Sequence, residues 1–387
     1  MTSEDTSRDY LCPYFEEKKC QSCSLLTMSY RKSLESKMLN VTNLFPNQTI
    51  DPIVETGFPF TGRAKTKWAV GGSLPNIKLG FPDHNGNVLH DLRQCPQHQE
   101  QLNSLANLIT EGMIKYKISP YDIITKKGEL KFITLMQAHD SDEILLRYTL
   151  RSRECLERLI KMTKELMHTC SNLVVASATL QPIHMAKRHG ETEILLTERH
   201  YIQETINDLT LLYGPRSFIQ GSPDIKSKLY QKACEIFLKV KGQNVLDLYC
   251  GTGAFALHLA ESAKSICGVE ISDESITLAK KSAKINQLSN VEFRTLDADN
   301  LCDNGHEIDK NFDTFVVNPP RRGLSKQLIS LIIDSSCSHL LYSSCNPQSL
   351  QRDINLLAPS FALTELTPFD MFPFTHHLEC LALLTRY

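Results

Sequence analysis

A glycine turn between an apolar strand and a helix constrains this chain more than any other stretch. Asn244-Val245-Leu246-Asp247-Leu248-Tyr249 reads as a buried strand, Cys250-Gly251-Thr252-Gly253 breaks it, and residues 254–262 carry helical character. Glycine admits positive φ and lets the backbone approach a ligand where a Cβ would clash. The helix behind the turn offers free N–H groups at its start. Strand, glycine turn and helix in that order begin an open α/β sheet, whose ligands bind beyond the carboxyl ends of the strands.

The alternation continues. Strand-like stretches at 265–271, 291–293, 314–317 and 339–343, with a helix at 273–286, predict a doubly wound parallel sheet within residues 215–387. Upstream the pattern differs. Residues 50–95 read as short strands with turns at Gly71-Gly72 and Asn85-Gly86, and 97–117 as a helix. Strands at 130–135, 144–148, 173–177 and 193–196, interrupted by a helix at 155–170, predict a mixed sheet with one face covered. The expected organisation is a β-rich region 1–96, an α+β region 97–214 and an α/β domain 215–387.

With 387 residues, 41% of them hydrophobic, the chain can build more than one core. No apolar run is long enough to span a bilayer, and residues 1–8 are polar and acidic, so cytoplasmic residence without membrane contact is expected. A net charge of −2 leaves room for a local basic face but announces no nucleic-acid binder. Thirteen cysteines in such a chain point to metal ligands, a reactive thiol or buried hydrophobes rather than disulfides. Cys12, Cys20 and Cys23 cluster early, with Cys95 later. That spacing suits a metal site, an iron–sulfur cluster or zinc.

The glycine turn fits two ligand classes. Gly-x-Gly followed by an acid, Glu270, that ends the next strand suits a dinucleotide or an adenosyl cofactor, with Glu270 accepting from ribose hydroxyls. A carboxylate at Asp247 would repel a pyrophosphate and favours a cation such as S-adenosylmethionine.

Three further stretches fall at strand ends. Asn318-Pro319-Pro320-Arg321-Arg322-Gly323 stiffens a turn and presents the Asn318 amide, with Arg321 and Arg322 available to phosphate. Leu341-Tyr342-Ser343-Ser344-Cys345-Asn346-Pro347 places a thiol where a strand meets a turn, and a thiolate is a strong, soft nucleophile. Glu379 opens the apolar strand 380–384, where desolvation would raise its pKa and suit it to act as a base. His376 and His377 are adjacent and read as loop or hydrogen-bonding residues rather than a shared metal site. Together a thiol, a base and a methyl donor compose C5 methylation of uracil through addition of Cys345 to C6, on a base taken out of its stack.

Asp-Leu-Tyr-Cys-Gly-Thr-Gly, Asn-Pro-Pro-Arg-Arg-Gly, Ser-Ser-Cys-Asn-Pro and His-Leu-Glu, in this order, resemble the RNA (uracil-5-)-methyltransferase family. The resemblance implies a Rossmann-like S-adenosylmethionine-dependent catalytic domain, with an α+β RNA-binding region ahead of it. It implies Cys345 as nucleophile and Glu379 as base, and Gln220, Tyr249, Glu270 and Asn318 as contacts to S-adenosylmethionine. One of Asp297 and Asp299 would approach the adenine. Where the family has Asn two residues after Gln220, this chain has Ser222.

Cys12, Cys20, Cys23 and Cys95 resemble the four-cysteine [4Fe–4S] site of the ribosomal members. The absence of room for a β-barrel module before Cys12, with Gln181-Pro182-Ile183-His184-Met185 and residues 190–194, resembles the short ribosomal branch. That implies 23S ribosomal RNA, at a uridine like uracil-747, as substrate; the sequence leaves the oligomeric state open, with a monomer favoured. Arg63, Lys65 and Lys67 alternate on one strand face around Trp68, and 126–131 and 147–153 add basic character for RNA. Two other classes compete: a non-catalytic RNA-binding protein, and an oxidoreductase with an iron–sulfur relay.

Overall fold

The computed structural model describes residues 10–83, 86–182, 192–301 and 311–387. Asn85 of the expected turn and residues 183–191, which carry part of the branch resemblance, lie outside them. Two compact units emerge. Leu11–Ser22 with Phe60–Glu204 form an amino-terminal unit, and Cys23–Pro59 with Thr205–Tyr387 and Tyr10 form an α/β unit.

Two helices, α1 (Pro13–Glu16) and α2 (Tyr30–Leu44), precede the first strands. The amino-terminal unit then runs β1 (Lys65–Gly72), β2 (Ile77–Gly80), α3 (Glu100–Lys115), β3 (Leu130–Gln137), β4 (Ile144–Leu150), α4 (Leu156–Thr169), β5 (Leu173–Leu180) and β6 (Thr192–Leu195). These strands form one six-stranded sheet in the order β2-β1-β3-β4-β5-β6. All pairs are antiparallel except β4–β5, which α4 connects. Trp68, Ile133, Leu146 and Tyr148 pack with Leu105 and Ile109 of α3 and Leu159 and Met162 of α4 in one core. The expected boundary at residue 96 falls inside this unit, because Trp68 of β1 pairs with Ile133 of β3. Local pattern cannot register a pairing across that distance.

After β7 (Ile202–Ile206) and β8 (Leu209–Tyr213), the α/β unit continues with α5 (Pro223–Val240), β9 (Asn244–Leu248), α6 (Ala254–Leu259), β10 (Ser265–Glu270), α7 (Asp273–Ile285), β11 (Val291–Thr295), β12 (Thr314–Val317), α8 (Lys326–Asp334), β13 (His339–Ser344), α9 (Pro347–Leu357), β14 (Phe361–Phe369) and β15 (Glu379–Arg386). Seven strands form the sheet β11-β10-β9-β12-β13-β15-β14. The first five are parallel, and the β14–β15 hairpin joins antiparallel.

Alternating residues of these strands explain their apolar runs. Leu246, Leu248, Val317, Tyr342 and Ala382 share a core with Leu328 and Ile332 of α8 and Leu350 and Ile354 of α9. The intervening Val245, Val316, Leu341 and Leu383 are buried too, so both faces of the sheet are covered. Strand order reverses between β9 and β12, the switch point at which open sheets leave a crevice. No described helix is long and apolar enough to cross a membrane.

Candidate active site

Register determines who meets whom at that edge. Leu248 pairs with Val317, and Val317 with Tyr342, so Tyr249, Asn318 and the residues after Tyr342 emerge at neighbouring carboxyl ends. Because β15 runs antiparallel, its first residue lies at the edge where β13 ends. Ser344 pairs with Cys380, and the register carried one residue further sets Cys345 across from Glu379.

Glu379 is 1% exposed, and Ser343 Oγ donates to its Oε1 at 2.6 Å. Burial pushes this carboxyl up to about 7, against the opposing pull of the Ser343 bond. Cys345 is half-buried. Its thiol is raised first by burial and then by the Glu379 charge, while the Arg321 guanidinium lowers it by charge and hydrogen bond. Arg321 is therefore the group that favours the thiolate.

Two loops carry these groups and are tied together. Asn346 caps α9, its side chain accepting from Gln348 N, and its Nδ2 donates to Arg321 O at 2.9 Å. Asp353, wholly buried in α9, accepts from Leu324 N at 2.8 Å and Tyr342 Oη at 2.7 Å. The Asn318–Gly323 turn is thus anchored from behind, and Asn318 N donates to Leu248 O at 3.5 Å.

The glycine turn alternates left-handed positions: Tyr249 at φ +58, Gly251 at +56 and Gly253 at +84. Tyr249 Oη donates to Asp299 Oδ1 at 2.6 Å, and Arg322 pairs with Asp299 Oδ2 at 2.5 Å. Asp297 is held by its own turn, accepting from Asp299 N and Asn300 Nδ2. Glu270 ends β10 half-buried, its Oε1 accepting from Ser272 N at 2.9 Å. Gln220 is buried, and Ser222 begins α5 as its N-cap, with Pro223 next.

Asp247 corrects the argument made for it. The side chain is 1% exposed and accepts from Ala256 N at 3.1 Å, inside the first turns of α6. Burial pushes it up to about 8, with Glu270 adding to the rise. Burial thus disfavours the charged form of this carboxyl. Its Oδ1 is buried without a partner.

The early cysteines divide between units. In the amino-terminal unit, Tyr14 O accepts from Cys20 N, and Tyr14 Oη accepts from Gln94 N, which draws the Cys12–Cys20 stretch to Cys95. The Cys95 thiol is raised by burial first and also by Cys20 and Cys12. Cys23 belongs to the α/β unit. Among the described residues no group of three or more His, Cys, Asp or Glu is disposed to hold a metal ion. The all-thiol donor set suits a soft site, but the side chains do not form a closed cage.

On β1, Lys65 and Lys67 alternate with buried Thr66 and Trp68. Lys67 Nζ lies 4.4 Å from the Phe132 ring centroid. Burial, then Arg147 and Lys67, lower Lys65 to about 8. His376 and His377 lie in the loop before β15 and are exposed.

A model of the tRNA (uracil-5-)-methyltransferase family matches residues 158–387. This chain belongs to that family. It is 35% identical over 379 residues to the 23S rRNA (uracil(747)-C(5))-methyltransferase RlmC of Vibrio vulnificus, covering 97% of this chain and 99% of the relative. The RlmC of Photorhabdus laumondii is also 35% identical, over 96% of this chain and 98% of its own length. Among solved structures, the Pyrococcus abyssi tRNA (uracil-54, C5)-methyltransferase in complex with S-adenosyl-L-homocysteine matches with a TM-score of 0.78. That match has 23% identity and covers 94% of this chain and 86% of that one. At that identity the likeness speaks for the fold. As a family member the chain is a methyltransferase.

Three supporting residues of this methyltransferase escaped the sequence reading: Ser343, Asp353 and Asp370. Ser343 had a signal, since it stands two residues before Cys345 in a strand and so shares its face. Asp353 and Asp370 had none, because the packing that brings Leu324 and Tyr342 to one, and Lys37 and Tyr30 to the other, is set by the fold.

Proposed function

We propose that this family member methylates C5 of a uridine in 23S ribosomal RNA, at the counterpart of uracil 747, using S-adenosylmethionine. The target reading rests on relatives so named that match 97% of the chain. The chemical reading rests on one observation: the β13–β15 pairing sets a thiol and a buried carboxyl side by side.

C5 of uracil is too weak a nucleophile to take a methyl group directly. Cys345 Sγ, its proton passed to water with Arg321 favouring the thiolate, adds to C6 and makes C5 enolate-like. S-adenosylmethionine supplies an electrophilic methyl group to that carbon. Glu379 then takes the C5 proton, the C–H pair becomes the C5=C6 bond, and the C6–S bond breaks to return the Cys345 thiolate. Tyr249, Glu270 and Asn318, from the carboxyl ends of neighbouring strands, and Gln220 would contact the cofactor, with Glu270 toward its ribose hydroxyls. The exposed Arg321 and Arg322 and the β1 lysines would meet RNA phosphate. A cytoplasmic location follows from such a substrate.

Replacing Cys345 by Ala is expected to abolish m5U formation and the covalent adduct with 5-fluorouracil-substituted RNA. Full turnover by that variant would end the covalent reading. Mapping m5U in 23S RNA from a strain lacking the chain tests the target: loss at the uracil-747 counterpart is the expected result, and its retention there refutes the assignment.

Cys12, Cys20, Cys23 and Cys95 are proposed to hold a [4Fe–4S] cluster. The spacing of Cys12, Cys20 and Cys23, with Cys95 later in the chain, supports this reading. Anaerobically purified protein should contain about four iron and four sulfide per chain. Stoichiometric zinc in colourless protein would refute the cluster.

A further inference from the structure

We propose that Ser343 is a positioning residue for the proton-abstracting carboxylate, its buried hydroxyl holding Glu379 Oε1 so that the other oxygen is presented, ionised, to C5. The inference rests on Glu379 being the base. Three observations carry it. Ser343 is wholly buried, and its hydroxyl donates to Oε1 at 2.6 Å. Among the described residues no other group donates to this carboxyl. Ser343 pairs with Leu381, two residues beyond Glu379 on the neighbouring strand, so the two side chains are diagonal neighbours on one face. Cys345 lies two residues further along that face. The hydroxyl thus sits beside both reacting groups without belonging to either.

A dry carboxylate needs a donor to stay ionised, and here the donor is a neutral hydroxyl. A serine bond favours the charged form without a cation's cost in basicity. An arginine at this place would favour the carboxylate so strongly that it lost its affinity for the proton. The other titratable neighbours are Cys345 and Cys380, whose thiols are raised by burial first and then by Glu379. Arg321 faces Cys345, and the exposed His377 is lowered by burial and then by Arg321, Lys37 and His376.

The test uses a shape-matched pair, Ser343→Thr and Ser343→Val, which differ in the hydroxyl alone. Single-turnover methylation of 23S RNA from a strain lacking the chain is followed from pH 5 to 9. Thr should keep the acid limb of the native enzyme. Val should move it up by about one pH unit, lowering the rate about tenfold at pH values below the limb and recovering it in alkali. Both should still trap 5-fluorouracil RNA, because the adduct forms before the C5 proton is removed. Coincident Thr and Val profiles, or a loss in Val equal at every pH, overturn the proposal. If Val does not fold, Ser343→Ala is read against Thr in the same way. Glu379→Gln runs in parallel. Full turnover there refutes the base itself, whereas an inactive Glu379→Gln beside an unshifted Val refutes only the role of Ser343.

Discussion

At Gly251 the backbone stands at φ +56, and an added Cβ would meet nothing within 4 Å. At Gly253 φ is +84, and the same atom would lie 2.6 Å from Phe293 Cζ. The first glycine faces open space in the crevice, and the second lets the turn pack on β11. Gly253→Ala should therefore destabilise the fold by about 2–4 kcal/mol, from left-handed strain and overpacking together. Gly251→Ala should cost about 1–2 kcal/mol from the backbone alone yet weaken binding of S-adenosylhomocysteine. Urea unfolding beside calorimetric titration separates the two. Equal stability losses with equal ligand affinity would refute the distinction. Two glycines of one motif thus serve different ends, which a sequence pattern cannot tell apart because Phe293 arrives from another strand.

Helix α2 reaches the loop before β15 through Lys37 and Tyr30. Lys37, 2% exposed in mid-helix, forms an ion pair with Asp370 and donates to Phe372 O at 2.8 Å. Tyr30 Oη donates to the other Asp370 oxygen at 2.6 Å. This buried network clamps the loop between β14 and β15 from which Glu379 emerges. Burial lowers the Lys37 pKa, and Asp370 restores part of it. Removing one partner strands the other charge, so Asp370→Ala should cost about 3–5 kcal/mol, and a Lys37→Met/Asp370→Leu pair much less. Urea midpoints decide: a single variant no worse than the double would refute the clamp. A lysine in a polar helix reads as solvated, and its partner lies 333 residues away. No local signal could have joined them.

For the molecule as a whole, two raised carboxyls pull stability down as pH rises, against His98 and His258, which burial lowers to about 3 and about 4. Glu379 at about 7 and Asp247 at about 8 keep protons in the folded chain that the unfolded chain releases near pH 4. Between pH 4 and 7 the folded state therefore holds more protons on these two carboxyls, and their contribution to stability falls as pH rises. For Glu379 alone the loss amounts to about 3 kcal/mol across that window. Glu379→Gln, which cannot titrate, should lose this contribution, so its melting temperature relative to the parent should rise between pH 5 and 8. Parallel curves for variant and parent would show that Glu379 titrates normally in the fold.

Read along the chain, local order was visible from residue 244 onward: strand, left-handed glycine turn and helix, then alternation to Cys345. Near-neighbour chemistry decides all of these, through glycine's freedom, apolar runs and strand-end turns. The thiol, the carboxyl and the Asn-Pro-Pro turn could be picked out because each ends or begins an apolar strand. Their meeting could not. Only the antiparallel insertion of β15 beside β13 brings Glu379 to Cys345, and only burial in the assembled fold raises the Glu379 and Asp247 carboxyls. Burial and long-range pairing belong to the assembled fold, because desolvation depends on atoms that come from every part of the chain.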